Sequence, residues 1–141
     1  MKRVLLAALI ASVSMAAAAR DDIVTVPLKD VVDMGLAEGK LDGSVKFYLA
    51  GSSPKVSQRL GSGVSNKKTN SVGKDDVGGC KYVALSALIA FQESAKSRGA
   101  NAVVDITSYY KRIEKKDPVT IECHAGNILM GTALKGEYAK L

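Results

Sequence analysis

One long amphipathic stretch constrains the fold more than any other feature of this sequence. It runs from Cys80 to Arg98 as CKYVALSALIAFQESAKSR, with the period of a helix. At 100° per residue, one arc of this helix collects Cys80, Ala84, Leu88, Phe91 and Ala95. Because a lone helix cannot shield such an arc from water, the pattern predicts a helix packed on another layer of structure.

The predicted helix ends where the chain supplies stop signals. Lys96 and Arg98 place positive charge at the negative end of the helix dipole. Gly99 suits the left-handed position that follows a helix. Backbone N–H groups near Gly99 and Asn101 can in principle face an anion, but the carbonyl groups at this helix end repel one. We therefore interpret Gly99 and Asn101 as a structural turn.

Two segments after the helix alternate between faces and predict strands. In the first, residues 102–110, one face is expected to carry Ala102, Val104 and Ile106, and the other Val103, Asp105, Thr107 and Tyr109. In the second, residues 119–124, one face is expected to carry Val119, Ile121 and Cys123, and the other Thr120, Glu122 and His124.

The N-terminus has the pattern of a secretory signal peptide, with basic residues, an apolar run and small residues before a cleavage site near Ala18–Ala19. Serines interrupt the apolar run, which is shorter than the roughly 20 residues that a membrane-spanning helix needs. The first cysteine is Cys80, so the pattern is not that of a lipoprotein. We predict a signal peptide at 1–19, a single domain at 20–141, export to a bacterial periplasm, and no stable membrane insertion.

The two cysteines lie on surfaces that helix–sheet packing brings together. Cys80 belongs to the apolar arc of the helix, and Cys123 to the apolar face of the second strand. In an oxidising compartment, two such cysteines pair by default. We predict a Cys80–Cys123 disulfide that clamps the helix to the sheet.

The chain before the helix shows weaker patterns. Residues 23–26 suggest a strand or extended arm, and Pro27 excludes it from the centre of a sheet. Residues 28–41 form a weak helical pattern that two glycines interrupt. Residues 44–50 alternate as a strand does.

The region 51–79 is rich in turn signals and leaves two alternatives open. Either a short strand at 57–64 pairs with 45–49 as a hairpin, or the region is a long loop. Residues 128–141 suggest one more strand and a tail. The order of elements predicts an α+β fold, with one principal helix on one face of a small, mainly antiparallel sheet. The stretch 44–110 also suits a parallel β-α-β crossover.

Charge and motifs exclude several classes of function. The net charge of +6, which falls to +4 when the predicted signal peptide with Lys2 and Arg3 is removed, suits anionic lipid headgroups, lipopolysaccharide or acidic partners. An ordinary basic surface is the preferred explanation of so mild a charge. No long basic stretch is interleaved with aromatic residues, so nucleic-acid binding is not expected.

The helix–strand junction AKSRGANAVVDI at 95–106, with GTAL at 131–134, resembles the YbjQ-like family, which is named for heavy-metal binding. It is also similar to the periplasmic domain of RcsF-like proteins. The resemblance covers about 44–134 and implies a compact sheet crossed by a long helix, with cysteines that clamp the two. It further implies that a homo-oligomer can form. The chain departs from RcsF in lacking a lipid-anchor cysteine.

The same junction, followed by SYYK, resembles short exported proteins that carry the label excinuclease ATPase subunit. A phosphate-binding P-loop needs G-x-x-x-x-G-K-[ST]. In the nearest stretch, 62–69, Ser62 and Lys67 stand at the two glycine positions. We therefore expect no ATPase or nuclease activity.

His124 is the only histidine and shares a strand face with Glu122. With Asp105 from a neighbouring strand, these residues form a candidate zinc or copper site. The alternative is a surface histidine among ordinary charges, with no cofactor. A catalytic triad would pair His124 with Ser108 or Ser94, but no G-x-S-x-G motif frames a serine. We predict no enzyme.

The segment Tyr109, Tyr110, Lys111 and Arg112 begins an exposed, charged link and is a candidate interaction surface. Paired tyrosines at such a place more often put one ring in the core and one at the rim. The sequence thus predicts a disulfide-clamped exported protein that binds an unknown envelope partner, with metal binding as the alternative.

Overall fold

The computed structural model describes residues 20–141, so the predicted signal peptide at 1–19 lies outside the described residues. The described chain forms six strands and two α-helices. The strands are β1 Asp22–Pro27, β2 Lys46–Leu49, β3 Gln58–Asn70, β4 Ala102–Ser108, β5 Thr120–Ala125 and β6 Leu129–Lys140. The helices are α1 Leu28–Ala37 and α2 Asp76–Ser97, and a short 3-10 turn covers Tyr110–Arg112.

The long helix is confirmed as α2, which begins four residues before the predicted start. Asp75 caps it, because its carboxylate accepts a hydrogen bond from the Gly78 N–H at 2.7 Å. At the other end, Gly99 has a φ of 71°, the left-handed conformation expected there. Every member of the predicted apolar arc is at most 1% exposed: Cys80, Ala84, Leu88, Phe91 and Ala95.

The sheet is organised around β6. Strand β3 pairs antiparallel with β6 along nearly its whole length. The opposite edge of β6 is shared, because β5 pairs with it at Met130–Gly131 and β4 pairs with it from Leu134 to Ala139. Strand β1 extends the sheet beyond β5, and β2 extends it beyond β4. The result is a curled sheet, with α2 packed on one face.

The sheet is mixed, which corrects the prediction of a mainly antiparallel one. Strand β2 pairs parallel with β4, from Lys46 opposite Ala102 to Leu49 opposite Ile106. The 44–110 unit therefore contains a parallel crossover that includes α2, as the sequence predicted. Strand β1 lies at the edge of the sheet, where Pro27 is tolerated.

The region 51–79 is neither a loop throughout nor a hairpin with β2. Its middle is the 13-residue strand β3, which pairs with β6, and its last residues begin α2. Both faces of β3 are mainly exposed and carry Ser, Asn and Lys, so the usual apolar alternation of a strand is absent. Ser65 is the exception: it is 4% exposed, and its hydroxyl donates to the Ala87 carbonyl of α2 at 3.0 Å.

The predicted faces of β4 are wrong beyond Asp105. This residue has a φ of 52°, and the pairing with β6 shifts register between Val104 and Thr107. The bulge reverses which face of the sheet the following residues point to. Ile106 therefore lies with Val103 in the main core, whereas Val104 lies in a separate cluster. The strand also ends at Ser108, two residues before the predicted end. Val119 lies outside β5 and is 60% exposed, although it was expected on the apolar face.

The predicted disulfide is present. Cys80 of α2 and Cys123 of β5 are bonded, with their Cα atoms 5.7 Å apart, and both residues are fully buried. The weak pattern at 28–41 forms the second helix, α1, which packs on α2. Gly35 allows this close approach, because a Cβ there would lie 2.6 Å from Leu85 Cδ1. No helix in the part of the chain that the structure describes has the length and apolar content needed to cross a bilayer.

An exposed ion pair ties the end of α2 to the segment after α1. The Lys96 ammonium and the Ser44 hydroxyl donate to the Asp42 carboxylate and hold the pKa of Asp42 well below its ordinary value. The contribution of Asp42 to stability is therefore complete above the unfolded pKa of about 3.9. It is lost as the pH falls through the lower pKa of the folded state.

We expect Asp42→Asn to lower the acid sensitivity of the free energy of unfolding, as measured by urea denaturation from neutral pH down to about pH 2. The change should be small, because the pair is exposed. Glu114→Gln, at an exposed site, is the control and should leave the pH dependence unchanged. An equal change in both variants would contradict this role of the pair.

Candidate functional site

The structure brings together two of the three predicted metal ligands. His124 Nε2 lies 3.0 Å from Glu122 Oε1, and the two side chains are 11% and 13% exposed. Asp105 does not join them: at the β4 bulge, its carboxylate accepts a hydrogen bond from Arg59. Instead, Asp21 Oδ1 lies 3.0 Å from His124 Nδ1. The histidine is thus held at both nitrogens by carboxylates.

The ring of Tyr110 stacks on His124. The ring centroids are 3.5 Å apart and the planes differ by 12°. The tyrosine is placed by a closed loop, because Ser108 and Lys115 exchange two backbone hydrogen bonds of 3.0 and 2.8 Å. At the loop tip, Lys111 and Arg112 both have left-handed backbones, with φ of 54° and 63°.

Two non-glycine residues in this conformation are costly, on the order of 1 kcal/mol or more each, and such strain clusters at functional sites. The candidate interaction segment, Tyr109 to Arg112, therefore contains both strained residues. Tyr109 and Tyr110 are both half-buried, so neither ring enters the core fully, and Lys111 and Arg112 are exposed.

The stacked pair of Tyr110 and His124 separates two cavities. The smaller has a volume of about 100 Å³ and contains Glu122, Lys115 and Ser108. In it, Lys115 Nζ lies 3.2 Å from Glu122 Oε1, so the carboxylate is neutralised by an adjacent cation.

The larger cavity, of about 270 Å³, we call the basic cavity. Its lining consists of Arg20, Asp21, Lys68, Tyr110, Lys111, His124, Gly126, Leu129 and Gly131. Its floor follows from sheet register, since Lys68 of β3, Gly131 of β6 and His124 of β5 lie side by side in one cross-strand row. Gly131 has no side chain to fill the space between its neighbours, and a Cβ there would lie 3.3 Å from Lys68 Cγ.

The cationic side chains of the basic cavity are not equally available to contact a ligand. Arg20 is committed, because it forms ion pairs with Asp22 and Asp76, which raise its pKa. Lys68 forms no ion pair with any residue between 20 and 141, and Lys111 Nζ lies 5.5 Å above the Tyr110 ring. Two lysines are therefore available to an anion, next to an aromatic wall.

The donor set does not fit a bound metal ion. Among residues 20–141, no group of three or more His, Cys, Asp or Glu side chains is placed to hold one. Asp21 and Glu122 lie at opposite nitrogens of one imidazole ring, so they and His124 cannot converge on one ion as tetrahedral zinc requires. Cys123 contributes no thiolate, since it is in the disulfide.

The arrangement also lacks a nucleophile–base pair. The Ser108 hydroxyl accepts a hydrogen bond from the Glu122 N–H at 3.0 Å. Within the described residues, no serine hydroxyl bonds to His124, whose nitrogens face the two carboxylates. Activation of a serine requires such a bond.

The predicted structural turn ties three strands together. The Asn101 carbonyl accepts from the Lys46 N–H, and the Asn101 N–H donates to the Ala139 carbonyl, each at 3.0 Å. Its side-chain oxygen accepts from the Leu141 N–H at 2.9 Å. Asn101 thus bonds to chain segments around it, in keeping with the structural interpretation of Gly99 and Asn101.

Sequence reasoning missed three residues of the site. Asp21 precedes β1 and reaches His124 because Ile23 pairs with His124 in the sheet. Lys68 and Gly131 lie on strands whose pairing was not predicted. Because β3 is mainly exposed, it carries no apolar pattern that would have revealed its pairing with β6.

Comparison with known protein families, with curated proteins and with solved structures finds no match to this chain, so the resemblance to YbjQ-like and RcsF-like proteins stays a prediction.

Proposed function

We propose that this protein is an exported, non-enzymatic binding protein of the bacterial envelope, and that its basic cavity holds an anionic group such as a phosphate. One observation carries the proposal: Lys68 and Lys111 both line a cavity whose floor is Gly131. A phosphate accepts several hydrogen bonds at once, and two lysines from separate elements can bind it from different sides.

The surroundings of the cavity support anion binding. The Tyr110–His124 stack gives it a rigid wall, and Asp21 is occupied by the histidine. The net charge of +6, which is +4 without Lys2 and Arg3 of the predicted signal peptide, also favours encounter with anions. A disulfide-clamped scaffold keeps strands β5 and β6, which carry the wall and the floor, in fixed positions.

A binding role is favoured over catalysis, since His124 faces carboxylates and no serine. It is also favoured over the zinc or copper alternative, since the ligands of that alternative do not converge. Export rests on the sequence of residues 1–19, which matches a signal peptide.

The test is a calorimetric titration of the protein with inorganic phosphate, carried out at low and at moderate salt concentration. We expect saturable binding that weakens as salt is added, because the contact is largely electrostatic. Lys68→Ala and Lys111→Ala should each weaken binding by roughly fivefold, which corresponds to about 1 kcal/mol.

Lys67→Ala is the matched control. It removes the same charge from the neighbouring position, but successive side chains of a strand point to opposite faces, so Lys67 does not line the cavity. Unchanged binding is expected for this variant. No phosphate binding by the wild type, or an equal loss in Lys67→Ala, would refute the proposal. Zinc uptake in equilibrium dialysis that disappears in His124→Ala would favour the metal alternative.

A further inference from the structure

Three large aliphatic side chains meet water at one end of the sheet. Val72 is 65% exposed, Ile128 67% and Leu129 53%. We call these three residues the apolar tip. Single exposed aliphatic residues are ordinary, but a group of them on adjoining turns indicates a surface that is covered by something else.

The apolar tip is held in place by the backbone. The Ser71 N–H donates to the Ile128 carbonyl at 2.8 Å, and the Ser71 hydroxyl donates to the Gly126 carbonyl at 3.0 Å. The Gly126 N–H donates to the Leu129 carbonyl at 2.8 Å. These bonds join the turn after β3 to the turn before β6, so the side chains of Val72, Ile128 and Leu129 project from one preorganised end of the molecule.

Cations lie beside the apolar tip. Leu129 is itself part of the lining of the basic cavity, so it adjoins Lys68 and Lys111 there. On the other side, Lys74 follows Val72 by two residues, and its ammonium donates to the Thr69 hydroxyl at 3.0 Å. A protein partner would more often select aromatic residues and arginine at the centre of its contact. Aliphatic tips flanked by lysines instead match the boundary of an anionic bilayer, where phosphates lie just above the acyl chains.

We infer that the apolar tip docks on the surface of an anionic membrane, and that the basic cavity binds a lipid phosphate there. This inference rests on the proposed function, which it deepens by naming the source of the anion. In this arrangement Val72, Ile128 and Leu129 enter the headgroup–acyl boundary, while Lys68 and Lys111 contact headgroup phosphate. Docking is peripheral and reversible, since only a few side chains leave water.

The experiment is co-sedimentation of the protein with phosphatidylcholine vesicles, with and without phosphatidylglycerol. We expect binding that requires phosphatidylglycerol. The double variant Val72→Ser/Ile128→Ser, which spares the cavity residue Leu129, should reduce partition by roughly tenfold, because two aliphatic side chains no longer leave water. Its titration with inorganic phosphate should be unchanged. Val119→Ser is the matched control: Val119 is 60% exposed elsewhere on the surface, and its loss should leave partition unchanged.

The possible outcomes separate the two proposals. Phosphate binding without vesicle binding overturns membrane docking and leaves the proposed function standing. If the wild type binds neither phosphate nor vesicles, the proposed function and this inference are both refuted. Vesicle binding that the double variant retains, or that needs no phosphatidylglycerol, overturns the docking mode. Self-association that depends on the apolar tip, detected by sedimentation velocity without vesicles, assigns this surface to a second copy of the chain and also overturns it. Thermal unfolding of each variant confirms that it is folded.

Discussion

Replacing both cysteines by alanine is expected to lower the free energy of unfolding by about 4 kcal/mol. The disulfide joins residues 43 apart in sequence. In the chain-entropy account, its removal gives the unfolded chain many conformations that the closed loop forbids, which favours unfolding. The sulfur atoms are also fully buried between α2 and β5, so their loss leaves unfilled space in the core. Urea denaturation of Cys80→Ala/Cys123→Ala beside the oxidised wild type measures the difference.

Urea denaturation of the wild type in the presence of a reductant should give nearly the same unfolding curve as the double variant, since both then lack the covalent link. Thiol titration of the oxidised wild type in denaturant should detect no free cysteine. Two reactive thiols there, or a double variant within about 1 kcal/mol of the wild type, would contradict a stabilising Cys80–Cys123 bond.

Phe91→Ala is expected to cost about 3–5 kcal/mol of unfolding free energy. Phe91 of α2 is 1% exposed and belongs to the main hydrophobic core. Its ring meets Tyr138 of β6 edge to face, with centroids 6.1 Å apart and planes at 82°. Truncation would leave a cavity and would remove a favourable aromatic pair. Urea denaturation with an unchanged m-value would show that the loss is one of stability.

The chain supplies its own comparison for this variant. Phe47, the other phenylalanine, lies half-buried on edge strand β2 beside a groove. Because its side chain is only partly removed from water, Phe47→Ala should cost clearly less, about 1–2 kcal/mol. Equal losses at the two positions would mean that Phe91 is not central to the core.

The part of the fold that depends on strong periodicity was predictable. Cys80 and Cys123 lay on apolar faces of two regular elements, and the structure bonds them. The positive φ of Gly99 also follows from its place after a long helix. In both cases, local pattern and tertiary packing favour the same conformation.

Where tertiary contacts override local pattern, the predictions failed. The sequence around Asp105 gives no sign that this residue adopts a φ of 52°. The resulting bulge nevertheless changes which residues of β4 point to each face of the sheet. Strand β3 carries serine, lysine and asparagine because most of it is exposed, so its alternation cannot be seen. It is a strand because β6 offers it a partner, and such long-range pairing has no local signature.

The candidate site was half predictable for the same reason. Alternation on β5 placed Glu122 and His124 on one face, and the structure confirms that they meet. The third expected member, Asp105, was assigned by assuming that β4 is a regular strand. Asp105 instead lies at a bulge of β4, where its carboxylate contacts Arg59. Asp21 and Lys68 come from distant segments, so only the register of the sheet reveals them.

The central position of β6 has a consequence for biosynthesis. All five other strands precede it in the sequence, and only β6 joins the β1–β5 pair to the β2–β4 pair and gives β3 a partner. A nascent chain that lacks Leu129–Lys140 can therefore form isolated strand pairs but not the sheet, and isolated pairs are marginally stable in water. Formation of the full sheet then waits until Leu129–Lys140 is available, and the packing that places Cys80 beside Cys123 waits with it.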